Sequence, residues 1–232
     1  DAAGRVLLPL LRARGERRVD LLMLSHRDAD HVGGAASLLA AVPVNAIASS
    51  LTADHPLLAS GVAHRRCEAG QAWVWDGVHF ELLHPPPGSD DGGSRPNAAS
   101  CVLRVQGTEG SALLAGDIEA AQEAALVQAL GAGLRADVLL VPHHGSRTSS
   151  TPLFLDAVRP QVAVVQAGYR NRFGHPADEV VARYQAIGAT LHASPACGAW
   201  QWRSDLGGLG ICQRDRARRY WHSSLGDEAS GP

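Results

Sequence analysis

Four residues able to hold a metal fall within one short stretch: His26, Asp28, Asp30 and His31, in Leu24-Ser25-His26-Arg27-Asp28-Ala29-Asp30-His31-Val32-Gly33-Gly34. Imidazole nitrogen and carboxylate oxygen are the usual protein donors to divalent cations. Carboxylates and histidines this dense, close to buried chain, need a cation to balance them. The apolar run from Val19 to Leu24 reads as a buried strand, and Ala35 to Ala41 reads as a helix. The donors therefore sit on the turn leaving a strand, and the two glycines let the backbone fold tightly behind them.

Three later places repeat that arrangement. Asp117 follows Leu113-Leu114-Ala115-Gly116, His143 and His144 follow the apolar run Val138 to Val141, and His175 lies soon after a run ending near Gln166. In an α/β sheet, residues just past the carboxyl ends of strands gather along one rim. The expected shell has five histidines and three carboxylates, too many for one ion, so two metals bridged by a carboxylate are expected. Asp117 is the expected bridge, although its place before Ile118-Glu119 also suits a helix cap. Asp28 reads as a ligand or as the base that holds an attacking water. Side-chain directions alternate along an extended segment, so residues 143 and 144 are expected to face opposite ways. His143 is the expected ligand, and His144 supports it or donates a proton. His175 is a last ligand, a phosphate contact or, as an alternative to His144, the donor of a proton to the leaving oxygen.

The elements that position these residues alternate along the chain. A helix is expected over Leu7 to Arg14 and strands over Val44 to Ser49, Ala72 to Trp75 and Val78 to Leu83, the last two joined by an Asp76-Gly77 hairpin turn. After a loop rich in Pro, Gly, Ser and Asp at Pro85 to Asn97, strands are expected over Ser100 to Val105, Ser111 to Ala115, Asp137 to Val141 and Gln161 to Gln166. Helices are expected over Ile118 to Leu130, Pro152 to Val158 and Ala177 to Ile187. Short strands are expected over Thr190 to His192, Ala199 to Arg203 and Leu209 to Cys212. Strand and helix interleave without repeat or long linker, which predicts one α/β domain over residues 1–222 and a disordered tail over 223–232.

Composition excludes several classes. With 232 residues, 45% hydrophobic content and a formal net charge of -2, the chain is neither a basic nucleic-acid protein nor an acidic tail protein. No apolar run approaches the ~18 residues of a membrane span, and no signal-peptide pattern opens the chain. The four cysteines form no CxxC pair, which argues against a zinc finger and leaves their pairing open. All 21 basic residues are arginine, whose planar fork binds phosphate in a bidentate way.

The turn, Gly116-Asp117, His143-His144-Gly145-Ser146 and Phe173-Gly174-His175-Pro176, in this order, resemble the metallo-β-lactamase fold. More narrowly they resemble the C-terminal domain of ComEC-type DNA-internalisation competence proteins. Gly4 to Arg12, Asn97 with Ser100, Cys197-Gly198-Ala199-Trp200 and Arg219-Tyr220-Trp221 extend the likeness over nearly the whole chain. The resemblance implies an αββα sandwich whose first strands precede Asp1. It also implies a metal-dependent DNA nuclease that degrades the non-imported strand during natural transformation. The implied setting is a soluble domain, not itself inserted in the membrane, of a bacterial inner-membrane protein. Its partners would be DNA, the channel portion of the same parent chain and other competence proteins. The superfamily's usual His-x-His-x-Asp-His turn has Asp28 in place of its second histidine, and Asn97 is the nearest match to a later one. Both changes add oxygen donors, so Mn²⁺ is favoured, with Zn²⁺ or Mg²⁺ as alternatives.

Within that reading Ser146, Arg147 and Arg172, with Asn97, are the expected substrate contacts. The hydroxyls from Ser146 to Ser150 equally suit a capping loop before Pro152. Arg214, Arg216, Arg218 and Arg219 with Tyr220 and Trp221 read as a solvated basic tail or as a track for single-stranded DNA. The other histidines read as structural or surface residues. Two rivals stand beside the nuclease: a free-standing hydrolase of small esters or thioesters, and a non-catalytic DNA-binding module.

Overall fold

The computed structural model describes residues 1–89, 93, 95–206, 208 and 210–217. The basic-aromatic end at 218–221 and the tail at 223–232 lie outside the described residues. The chain forms two compact units, Asp1–Ala72 with Glu81–Leu103, and Trp73–Phe80 with the chain from Arg104 on.

The first unit opens with a π-helical stretch, Ala3–Leu7, running into α1 (Leu8–Ala13), with Pro9 in the first turn of α1 where a missing N–H costs nothing. Strand β1 (Leu22–Leu24) is followed by the one-turn helix α2 (Ala29–Val32) and by α3 (Ala35–Ala41), then β2 (Ala46–Ser49) and β3 (Ala63–Arg66). These strands form a parallel sheet in the order β1-β2-β3, with Leu22 opposite Ile47 and Ile47 opposite His64. A parallel pair needs a crossover, and α2 with α3 supplies it between β1 and β2. Leu24, Ala35, Ile47 and Leu51 form the local core, closed by Leu22, Val32, Leu39, Val44, Leu57, Leu58 and Val62. The expected strand from Val19 is shorter than its apolar run, because Val19 makes only an isolated bridge to Val44. Strand β3 escapes sequence reading: Ala-His-Arg-Arg carries no apolar alternation and is largely exposed.

Strands β4 (Ala72–Trp75) and β5 (Val78–His84) are joined by Asp76 and Gly77, both at positive φ (49° and 79°), the geometry of a tight hairpin turn. Strand β6 (Val102–Gln106) and β7 (Ser111–Leu114) follow, then α4 (Ala120–Leu130), β8 (Val138–Leu140), α5 (Pro152–Val158), β9 (Val162–Val165), α6 (Asp178–Ala186) and β10 (Thr190–Ala193). The second sheet has the order β10-β9-β8-β7-β6-β5-β4, and the unit boundary falls inside β5 and β6. Strands β7 to β10 pair in parallel, with α4, α5 and α6 as successive crossovers. Their residues Leu113, Leu139, Ala163 and Val165 are fully buried, as are Phe154, Val158, Val180 and Tyr184 of the crossing helices.

Candidate functional site

The first unit builds its donors on the turn between β1 and α2. Asp28 occupies the N-cap position of α2 with extended backbone, but its carboxylate makes no capping bond. Its carbonyl takes the backbone N–H of His31 and Val32 instead. The carboxylate is thereby released to stand 3.5 Å from His26 Nε2, while Asp30 Oδ2 stands 3.8 Å from His31 Nε2. The His26 and His31 rings lie 4.1 Å apart.

Hydroxyl groups set the direction of both rings. Ser25 Oγ lies 3.1 Å from His26 Nδ1 and 2.8 Å from His31 Nδ1, and Ser100 Oγ lies 3.3 Å from His26 Nδ1. Occupying Nδ1 turns Nε2 toward the carboxylates, which is how metal-binding histidines are commonly oriented. The strand end is held in turn. The Ser25 carbonyl accepts from Cys101 N at 2.9 Å and from Ser50 Oγ at 2.8 Å. Cys101 is disulfide-bonded to Cys67, which itself donates its N–H to the Ser49 carbonyl at the end of β2. Buried His84 sits 2.8 Å from the Ser100 carbonyl through Nδ1. Burial pushes its pKa down, and that carbonyl contact only partly opposes the shift. Asn97 lies half-buried on the short Pro96–Ala99 helix that delivers Ser100.

The second unit draws its donors from separate strand ends. Asp117, buried after β7, is not the cap of α4. Glu119 is, in a reciprocal capping box with Gln122. The alternative role for Asp117 thus falls away. His144 Nε2 lies 3.3 Å from Asp117 Oδ2, and His144 Nδ1 lies 2.8 Å from the Gln166 carbonyl at the end of β9. A carbonyl only accepts, so Nδ1 carries a proton, and Nε2 is the nitrogen turned toward the Asp117 carboxylate. A carboxylate and an imidazole nitrogen facing each other at this distance can share a proton or both turn to a cation.

His143 is placed differently. Its Nδ1 lies 3.2 Å from both Glu119 Oε1 and Thr148 Oγ1, and Thr148 donates to Glu119 at 2.9 Å. The alternation argument that made His143 the ligand fails, because residues 143 and 144 are not extended. Both are left-handed, with φ of 49° and 55°. Consecutive left-handed residues coil the chain, and here it is His144 that faces Asp117. Gly145 (φ +82°) completes the coil, and a side chain there would strike Pro176.

His175 lies 6.0 Å from the His143 ring, and its buried Nδ1 has no hydrogen-bond partner among the described residues. Burial chiefly, then the neighbouring His143 and His144, lower its pKa against the pull of Asp117. Ser146 is buried and bonds to Thr148 at 3.1 Å, so its hydroxyl helps hold the loop. Arg147 is exposed and 3.8 Å from Glu179. Arg172 lies over the Phe173 ring at 4.7 Å. Thr151, outside the expected hydroxyl cluster, caps α5.

The loop from 142 to 151 rests on a residue that sequence reading missed. Glu123 of α4 is fully buried and accepts the backbone N–H of Ser150 at 2.5 Å and of Thr151 at 2.8 Å. Burial pushes its pKa up despite these bonds. Ser150 also meets Tyr184 at 3.1 Å, and Arg183 donates to the Ser149 and Ser150 carbonyls. Glu119 was missed too, although Gly-Asp-Ile-Glu places it two residues past Asp117. Histidine and carboxylate donors, with ring nitrogens oriented by bonds on their far side, fit divalent cations in both units.

Residues 1–169 match the metallo-β-lactamase superfamily, and the chain belongs to it. Over 221 residues it is 40% identical to "Competence protein ComA" of Neisseria gonorrhoeae, covering 95% of this chain and 30% of that one. It is 36% identical over 193 residues to "Recombination protein 2" of Haemophilus influenzae, covering 83% of this chain and 23% of that one. The domain is thus of the ComEC type, and the chain spans less than a third of these relatives. Among solved structures, the metallo hydrolase Igni18 of Ignicoccus hospitalis has the same fold, with TM-score 0.51, 18% identity and 75% of each chain covered. The fold is therefore the α/β metallo-β-lactamase fold, that of a metallo-hydrolase, in a chain related to competence proteins. Among the described residues no helix is long and apolar enough to cross a membrane.

Proposed function

We propose that the protein hydrolyses DNA phosphodiesters with two divalent ions held by His26, Asp28, Asp30, His31, Asp117 and His144, and that it acts during DNA uptake. The observation that carries the reading is the Asp117–His144 pair, a buried carboxylate and an imidazole nitrogen 3.3 Å apart at two strand ends. It occurs in a chain whose relatives are named as competence and recombination proteins. Ions at these residues would supply Lewis acidity, making water acidic enough to attack near neutral pH and offsetting charge on the phosphate.

The chain's own residues do the rest. Asp28, half-exposed and not engaged in capping, orients the attacking water and takes its proton. His143, its Nδ1 directed at Glu119, gives a proton from Nε2 to the leaving oxygen. Sequence alone gives this role to His144 or His175; the contact of His144 with Asp117 supports taking it as a ligand instead. Of the roles open to His175, that of a phosphate contact, together with Arg147 and Arg172, suits this scheme. The oxygen-rich donor set favours Mn²⁺ over Zn²⁺.

The two disulfides, Cys67–Cys101 and Cys197–Cys212, favour an oxidising compartment, hence the outer face of the plasma membrane. Protein alkylated on isolation should bind maleimide after reduction; no labelling after reduction, the thiols having been free to be alkylated, argues for the cytoplasmic face. For activity, purified protein with Mn²⁺ should cleave end-labelled DNA, and Asp30→Ala combined with Asp117→Ala should abolish this. Equal cleavage by the double variant, or turnover of a chromogenic ester far above that of DNA, overturns the nuclease.

A further inference from the structure

The loop from 167 to 176, between β9 and α6, exposes two large rings. Phe173 is 66% exposed and Tyr169 59%. Each carries a guanidinium on its face: Arg172 lies 4.7 Å from the Phe173 centroid and Arg170 lies 5.2 Å from that of Tyr169. Leaving two rings in water forfeits the gain of burying them, so their display calls for a ligand.

The display is held in place by Asn171. Its side chain donates to the carbonyls of Gly168 at 3.1 Å and His175 at 2.6 Å, and accepts His175 N at 2.9 Å. The Phe173 ring also lies nearly parallel to that of His175, 16° off at 5.7 Å. A pocket lined by Ser146, Arg147, Phe173, Gly174, His175 and Ala177 adjoins the rings. Arg147 is the charged residue of that lining and lies 3.8 Å from Glu179, which is equally 3.8 Å from Arg183, while Arg170 and Arg172 add two more cations on the loop itself.

We infer that this loop is a stacking site for the unpaired bases of single-stranded DNA, with Tyr169 and Phe173 taking bases and Arg170 and Arg172 taking the flanking phosphates. A flat apolar face beside a cation matches a base attached to a phosphate, and unpaired bases stack on such rings whatever their sequence. An exposed cation–π contact is weaker than base–aromatic stacking, so an incoming base displaces each guanidinium toward the backbone. In a duplex the base faces are already used, so the loop distinguishes single from double strands. The Phe173–His175 contact would lead the strand to His175 and His143.

This inference rests on the nuclease reading, and binding without cleavage tests it separately. Fluorescence anisotropy of a labelled thymidine oligonucleotide and of a blunt duplex is measured with the whole protein, in EDTA and in Ca²⁺. Tyr169→Ala and Phe173→Ala should each weaken single-strand binding about five- to a hundredfold and duplex binding less than about twofold. Phe173→Trp and Tyr169→Phe should bind as the parent does. No binding of the single strand, unchanged binding by both alanine variants, or an equal loss on the duplex overturns the inference. Ring-dependent binding by a protein that fails to cleave DNA in Mn²⁺, Mg²⁺ or Zn²⁺ leaves the inference standing and sinks the nuclease.

Discussion

The two units place the same donors by different means. In the first, four donors lie within six residues, and the rings are turned by the hydroxyls of Ser25 and Ser100. In the second, Asp117 and His144 come from different strand ends, and the ring is turned by a backbone carbonyl of a third strand end, that of Gln166. The first arrangement is local in sequence and needs bracing from behind. The second depends on sheet register and on an uncommon backbone conformation. Each design should therefore fail in its own way.

The largest effect is expected in the second unit, where the structure separates neighbours that sequence reading ranks the other way round. His144→Ala should remove a ligand, weakening Mn²⁺ binding by about a hundredfold or more and abolishing cleavage. His143→Ala should leave Mn²⁺ stoichiometry intact by calorimetry while slowing cleavage about 10²- to 10⁴-fold, the usual worth of a proton donor. Normal metal binding by His144→Ala, with loss on His143→Ala, would restore the order expected from alternation.

Bracing is the next test. The Cys67–Cys101 bridge spans 34 residues and Cys197–Cys212 spans 15. Loop entropy then gives about 3.8 and about 3 kcal/mol, a small difference. Function should separate them far more sharply. Cys101 bonds to the chain that orients His26 and His31, so Cys67→Ser with Cys101→Ser should weaken Mn²⁺ binding about tenfold. The Cys197→Ser, Cys212→Ser pair should lower the urea midpoint and leave metal affinity unchanged. Equal metal affinities in the two variants would show that the brace holds the fold and not the turn.

Much of this was legible in sequence, and the remainder has physical causes. Hydrophobic period and punctuation located α3 and α5 to the residue and most strands to within one or two. The His26–His31 turn was legible because its donors are contiguous. Partners across the fold were not: nothing in Ser100 or Gln166 announces an imidazole contact, and four cysteines admit three pairings. The 143–144 argument failed for a local reason. Extended backbone is the ordinary assumption after a strand, and left-handed histidines are uncommon. Glu123 was hidden because a carboxylate on a helix usually faces water.

That buried carboxylate carries the third prediction. Glu123→Ala strips two backbone N–H groups of their acceptor and should cost about 2–4 kcal/mol by urea denaturation. Because the loop it holds carries His143 and His144 but no part of the first unit's turn, cleavage should fall as well. A stability loss under about 0.5 kcal/mol would mean that water replaces the carboxylate.

The smallest effect concerns the first unit and its dependence on pH. Burial lowers the folded pKa of His84 from the ordinary 6.5, so below that value the unfolded chain binds a proton more readily than the folded one. Stability is then complete above about pH 6.5 and falls as the pH drops toward the lowered folded value, by at most ~1.4 kcal/mol per unit for one group. His84→Gln keeps a donor for the Ser100 carbonyl but cannot titrate. Its urea midpoint should consequently change less than the parent's between pH 7.5 and 5.5. His175 in the second unit is shifted the same way, so some pH dependence should survive the substitution. If the two proteins lose stability in parallel, protonation of the first unit's support behind Ser100 is not what acid disrupts. The second unit, where burial likewise lowers the pKa of His175, would then be the acid-sensitive half.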